Sequence, residues 1–113
     1  MIPNAGRAVV DIRKLEVYVL STTHERGQHK ARMFAEVFGL TINDANALRD
    51  ILLDVVNTRE AQLGERIFHG QLYRVDFQLT WNRVTENVRS TWIIRREEEF
   101  PRLVSCFVQR KRR

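Results

Sequence analysis

From Tyr73 onward, the stretch Leu72-Tyr73-Arg74-Val75-Asp76-Phe77-Gln78-Leu79 alternates apolar and polar side chains residue by residue. A period of two places Tyr73, Val75, Phe77 and Leu79 on one face of a strand and Arg74, Asp76 and Gln78 on the other. That is the signature of a half-buried strand in an antiparallel sheet, with one face packed and one face wet. Downstream, residues 88–95 and 103–109 are rich in Val, Ile, Trp, Phe and Thr and read as two further strands. Residues 81–87 form the first connection, and residues 96–101, which carry Glu97-Glu98-Glu99, form the second. A weaker strand is expected near residues 66–69.

Upstream the period changes to that of helices. Asp11 caps a short helix over residues 12–20, with Ile12, Leu15, Tyr18 and Val19 turned inward. Residues 21–27 are a polar loop. A second helix over residues 28–38 ends at Gly39, a natural left-handed cap. Thr41 with Asp44 three residues on forms a capping box, opening a third helix to about residue 56 with Leu48, Ile51, Leu52, Val55 and Val56 as its stripe. Residues 1–8, broken by Pro3 and Gly6, read as an extended lead-in. Helices first and strands second predict an α+β fold, with N-terminal helices packed on one face of a C-terminal antiparallel sheet of three to four strands. The opposite sheet face stays open to solvent or to a ligand.

A chain of 113 residues supports one modest core, expected as a single domain over residues 1–109 followed by a basic tail at residues 110–113. With 43% hydrophobic and 29% charged residues, the composition is ordinary for a soluble globular protein, and nothing in it points to disorder. No apolar run reaches the length of a membrane span and the N-terminus has no signal-peptide core, so a cytoplasmic protein without a membrane partner is expected. A segment of a larger exported protein has the same character. Cys106 stands alone, which rules out an internal disulfide and a cysteine zinc cluster. Within Val104, Cys106 and Val108 it reads as a small buried side chain.

The net charge of +5 is a local property. Arg110, Lys111, Arg112 and Arg113 supply four of the positive charges, and residues 1–109 hold 15 basic against 14 acidic groups. Such a tail adds nonspecific attraction to phosphate backbones, or is simply a solvated end.

The chemistry concentrates in His24-Glu25-Arg26-Gly27-Gln28-His29-Lys30-Ala31-Arg32, where two histidines, a lysine and two of its arginines meet at a helix start. Lys30 tops the stripe of Met33, Phe34, Val37 and Phe38, which predicts partial burial. There it either meets an anion such as phosphate beside the free N–H groups of the helix start, or buries its stem and sends its amine outward. His24, His29 and Lys30 can divide general base, general acid and charge stabilisation in a metal-free phosphodiester transfer that uses the RNA 2′-hydroxyl as nucleophile. On the sheet, Arg89 and Thr91 can hold a scissile phosphate, or merely decorate a wet face. The candidate catalytic set is therefore His24, His29, Lys30 and Thr91. Arg32, Arg89, Asp76 and Trp81 are the candidate substrate contacts, with Trp81 as a base-stacking platform in the first hairpin loop. No cofactor is expected, and His24 and His29 have no evident third metal ligand.

The ordered motifs His24-x-x-Gly27-x-His29-Lys30-Ala31-Arg32-x-Phe34, Phe38-Gly39-Leu40 and Gly70-x-x-Tyr73-x-Val75-Asp76-Phe77-x-Leu79-Thr80 resemble one bacterial family. Thr91-Trp92-Ile93-Ile94 and Pro101-Arg102-Leu103-Val104-Ser105-Cys106-Phe107 continue the match. It is a family of short domains of unknown function, found alone and as C-terminal modules of polymorphic toxins. The resemblance implies a fold similar to the barnase–EndoU–colicin–RelE group of ribonuclease toxins. The chain departs from the family at Trp81-Asn82-Arg83, where relatives look glycine-rich, and at Thr91, where glycine often precedes the strand tryptophan.

Two functions follow as expectations. One is a small metal-independent ribonuclease-like toxin or effector domain, neutralised by a cognate immunity protein. The alternative is a non-catalytic bacterial interaction domain that binds a protein partner or nucleic acid. The sequence leaves the oligomeric state open.

Overall fold

In a computed structural model of the protein, residues 1–109 are described. The basic tail expected at residues 110–113 lies outside them. Four strands, β1 (Gln62–Ile67), β2 (Gly70–Trp81), β3 (Val84–Arg95) and β4 (Pro101–Val108), pair antiparallel in the order β1-β2-β3-β4. Alternation in β2 works as the sequence predicts: Val75, Phe77 and Leu79 are buried, whereas Asp76 and Gln78 are exposed. Three α-helical segments precede the sheet: α1 (Ile12–Lys14), α2 (Gln28–Phe38) and α3 (Ala45–Thr58). They pack on one sheet face, where Leu15, Phe34, Phe38, Leu48 and Leu52 join Val75, Val88 and Trp92 in a single core. This is the α+β architecture expected.

Local signals fix the helix ends. Asp11 accepts the N–H of Arg13 to start α1, and Gly39 ends α2 at φ 75°. Thr41 and Asp44 form the reciprocal capping box, which first opens a 3-10 turn at Ile42–Asp44 and then α3. Only three residues of the helix expected over residues 12–20 are α-helical. Leu15–Val19 widens into a π turn closed by Leu20 N–H on the Leu15 carbonyl at 2.9 Å. The wider turn stacks Leu20 over Leu15 and lets Leu15, Val19 and Leu20 all point inward.

Three further expectations change. The lead-in is not extended throughout, since Ala5–Arg7 makes a 3-10 turn that buries Ile2 and Ala5. Beyond it Val9 runs parallel beside Arg102, covering that end of the β4 edge. The weak strand near residues 66–69 is in fact β1, displaced toward the N-terminus and running over Gln62–Ile67. The first hairpin is tighter than residues 81–87 imply. Asn82 (φ 49°) and Arg83 (φ 65°) alone form the turn, and Trp81 pairs with Val84 inside the ladder. Two successive positive φ values give the twist that suits a two-residue hairpin. Asn82 also donates to the Phe38 carbonyl at 2.8 Å, tying the hairpin tip to the end of α2.

Candidate functional site

Strand register decides which side chains meet on the face away from the helices. Gln62, Arg74, Thr91 and Ser105 are successive cross-strand partners and form a central row. Asp76, Arg89 and Phe107 form the next row on one side, and Leu72, Ile93 and Arg102 the next on the other. Neighbouring rows lie two residues apart along each strand, about 6.6–6.8 Å.

A β-bulge sets the composition of these rows. On β4, Leu103 pairs with Trp92 and Ser105 with Thr91, so Val104 is an extra residue. Leu103, Cys106 and Val108 consequently share the core side, while Ser105 and Phe107 turn to the open face. Simple alternation would have put Leu103 with Ser105 and Phe107. Ser105 was therefore invisible as a site residue, and Gln62 was missed because β1 was read too far along the chain. Arg74 had a signal, being in phase with Asp76.

The second row holds a forked ion pair. Arg89 donates from Nε to Asp76 Oδ1 at 2.9 Å and from Nη2 to Asp76 Oδ2 at 3.0 Å. Its hydrogen bonds to Asp76 raise the pKa of Arg89 above its ordinary value, outweighing the lowering by burial. Arg74 donates from Nη2 to the Gln62 side-chain carbonyl. Its Nε is buried, has no hydrogen-bond partner, and lies 3.8 Å from Asp76 Oδ2. One carboxylate thus sits between two guanidinium groups, leaving a net positive charge on the open face. A trough of about 580 Å³ lined by Arg59, Asp76, Gln78, Asn87 and Gln109 continues from this row.

Lys30 reaches the same place from α2, although not as its spacing suggests. Partial burial is not found: Lys30 is exposed, and the buried stripe of α2 is Ala31, Phe34 and Phe38. α2 packs against the edge strand β4, and Lys30 Nζ lies 4.5 Å from the centre of the Phe107 ring. Phe107 faces Arg89 across the ladder, so this cation–π contact brings the ammonium to the second row.

His24 has a different occupation. Its Nδ1 accepts the N–H groups of Arg26 at 3.1 Å and Gly27 at 3.0 Å, and its carbonyl accepts that of Gln28 at 3.0 Å. The ring stands edge-on to Tyr18 with centroids 4.8 Å apart. A Cβ at Gly27 would lie 2.8 Å from the Tyr18 carbonyl oxygen, so glycine is needed for the loop to close over the π turn. The His24 ring thereby closes the turn that leads into α2, and only its backbone carbonyl takes an N–H of the helix itself, that of Gln28. His29 is exposed on α2, about 100° round the helix from Lys30. Arg32 reaches back along the helix to Gln28 Oε1 at 3.1 Å. Trp81 is not in the loop: it ends β2, half-buried in the ladder and packed against the core.

Of the residues singled out in the sequence, the fold gathers Lys30, Asp76, Arg89 and Thr91, and adds Arg74 and Ser105. Two guanidinium groups, an ammonium and two hydroxyls suit an anionic, oxygen-rich ligand. Among the described residues no three His, Cys, Asp or Glu side chains gather as a metal site requires.

Cys106 takes no part. It is 1% exposed and burial pushes its thiol pKa up, so the thiolate is scarce as well as inaccessible. Native protein is expected to resist a thiol reagent for hours at neutral pH and to react at one equivalent once unfolded in denaturant. Rapid labelling of the native state would contradict this burial.

The comparisons with known proteins follow the fold. One family model, described as a domain of unknown function, matches residues 1–110. No curated protein matches the sequence. A solved chain from a contact-dependent growth inhibition toxin–immunity protein complex of Klebsiella pneumoniae 342 superimposes with a TM-score of 0.68 at 12% identity. The alignment covers 95% of this chain and 97% of that one, so the two share a fold along essentially their whole lengths.

Proposed function

The chain belongs to the DUF6883 family of domains of unknown function, and from that starting point we propose that it is a toxin-type domain that binds and cleaves RNA without a metal. The observation that carries this reading is the positive, uncovered strip of Arg74, Thr91, Ser105 and Arg89, with Lys30 brought to it over Phe107. The shared fold with a chain of a growth-inhibition toxin–immunity complex supports the toxin system. The immunity protein is then the partner expected to cover the open face.

The guanidinium groups of Arg89 and Arg74 hold the non-bridging oxygens of one phosphate, and the Thr91 hydroxyl donates a further hydrogen bond. The 2′-hydroxyl of the preceding ribose attacks phosphorus and loses its proton to a general base. The bond from phosphorus to the 5′-oxygen breaks, and that oxygen takes up a proton. The products are a 2′,3′-cyclic phosphate and a 5′-hydroxyl, which balances atoms and charge. His29 and Lys30, adjacent on α2, are the acid–base candidates. His24 acts as a positioning residue, holding the start of α2 so that Lys30 reaches Phe107.

The test is incubation of purified protein with total RNA in EDTA, alongside inducible expression in bacteria. Discrete fragments ending in cyclic phosphate, together with growth arrest, are expected. Intact RNA and unimpaired growth would overturn the reading and favour a non-catalytic interaction domain. The bidentate Arg89–Asp76 pair is the feature that speaks for that second role, because it satisfies Arg89 without a ligand.

A further inference from the structure

The third row of the open face borders a hollow that the phosphate site does not use. It has a volume of about 660 Å³, within the range of small-molecule sites. Leu72 and Ile93 floor it, and the turn between β1 and β2 rises at its rim with Phe68 and His69. Phe68 is 77% exposed, unusual for so large an apolar ring. Arg96 lies over the ring at 5.0 Å from its centroid, and His69 meets it edge-on at 5.4 Å. With Arg96 on one face and most of the ring accessible, a flat surface remains free for stacking.

The rim is cationic. Lys14, Arg95, Arg96 and Arg102 line the hollow against Asp11 and Glu97. Arg102 is held by a fork of two 2.7 Å hydrogen bonds to Glu98, which hold the Glu98 carboxyl below its usual pKa and fix the guanidinium in place. An apolar floor, an aromatic wall and a positive rim together suit a group with a flat apolar body and an anionic tail. The row of Arg74 and Thr91 lies two rows beyond the Gly70–Arg95 pair, about 13 Å along the strands, a span of about two nucleotides.

We propose that this hollow is a nucleobase-binding subsite, in which one base of single-stranded RNA stacks on Phe68 and Arg96 while a phosphate about two nucleotides along the same strand lies at Arg74 and Thr91. Unstacked bases are recognised by aromatic rings and guanidinium planes in this way. The choice of RNA as occupant rests on the proposed function, whereas the stacking geometry does not. The subsite gives the cleavage reaction a sequence preference at one flanking position.

The experiment titrates 5′-AMP, 5′-GMP, 5′-CMP and 5′-UMP separately into isotopically labelled protein, with ribose 5-phosphate as the baseless control. At least one nucleotide is expected to bind about tenfold or more tightly than ribose 5-phosphate, with amide shifts confined mainly to residues 67–72 and 93–96. Phe68→Ala and Arg96→Ala, both at exposed side chains and checked for an unchanged amide spectrum elsewhere, each weaken that binding about tenfold. Binding of all four nucleotides no better than ribose 5-phosphate overturns the subsite, even if RNA is cleaved. Nucleotide binding at these amides with RNA left intact supports the subsite and refutes the cleavage chemistry. Self-association of the wild type that Phe68→Ala abolishes, with no nucleotide discrimination, would assign the patch to a protein partner and overturn the proposal.

Discussion

Arg89→Ala is expected to slow RNA cleavage by roughly 10²–10³-fold while leaving the fold intact, the usual cost of removing one preorganised donor from a developing oxyanion. Stability changes little, because Arg89 and Asp76 are partly exposed and such pairs contribute about 0–1 kcal/mol. Arg89→Lys keeps the charge but loses the two-pronged geometry and recovers only part of the rate. Lys30→Ala shows a loss of similar order, since its ammonium is the charge that α2 contributes to the row. Single-turnover cleavage of one labelled oligonucleotide, with circular dichroism as the folding control, reads both variants. Wild-type rates in Arg89→Ala and Lys30→Ala would remove the open face from the chemistry.

Trp92→Ala produces the largest loss of stability. Trp92 is fully buried, and its Nε1–H donates to Ser90 Oγ at 2.9 Å, which in turn donates to the Val75 carbonyl at 2.7 Å. Truncation opens a cavity under the sheet and removes the acceptor role of a buried hydroxyl, at a cost of about 3–5 kcal/mol. That is a large part of the ~5–15 kcal/mol that holds a domain of this size, and it corresponds to a fall in Tm on the order of 15–25 °C. Trp92→Phe keeps most of the volume and loses only the N–H, so it falls between wild type and Trp92→Ala. Thermal and urea unfolding of the three proteins measures the series; a drop of only a few degrees in Trp92→Ala would show that the core does not depend on this side chain.

The alternation of β2 and the capping signals at Asp11, Gly39, Thr41 and Asp44 were legible because they are local. A two-residue period needs only the chain itself, and a capping box spans four residues. The same reasoning failed at Leu15–Val19, where burying Leu15, Val19 and Leu20 together outweighed regular α-helical spacing. It failed for Trp81 because a two-residue turn by Asn82 and Arg83 absorbs less chain than its polar composition suggests.

The candidate site was half legible. His24, His29 and Lys30 drew attention by their crowding at a helix start, yet the ring of His24 is engaged by the Arg26 and Gly27 N–H groups in the turn before α2. Asp76 and Arg89 could be put on one face from their own strands, but no sequence pattern states that they are opposite one another. That pairing comes from the β2–β3 register, which the short turn at Asn82 and Arg83 sets.

The sequence by itself determined the α+β class, the order of helices and strands, the buried face of β2 and the inert setting of Cys106, since each follows from periodicity or composition within one segment. Tertiary structure alone decided which cations share a surface. The Val104 bulge turns Ser105 and Phe107 outward, and the edge of β4 lets Lys30 reach the Phe107 ring. Long-range register and packing bring together residues far apart in the chain, and one extra residue in a strand reverses the face of everything beyond it.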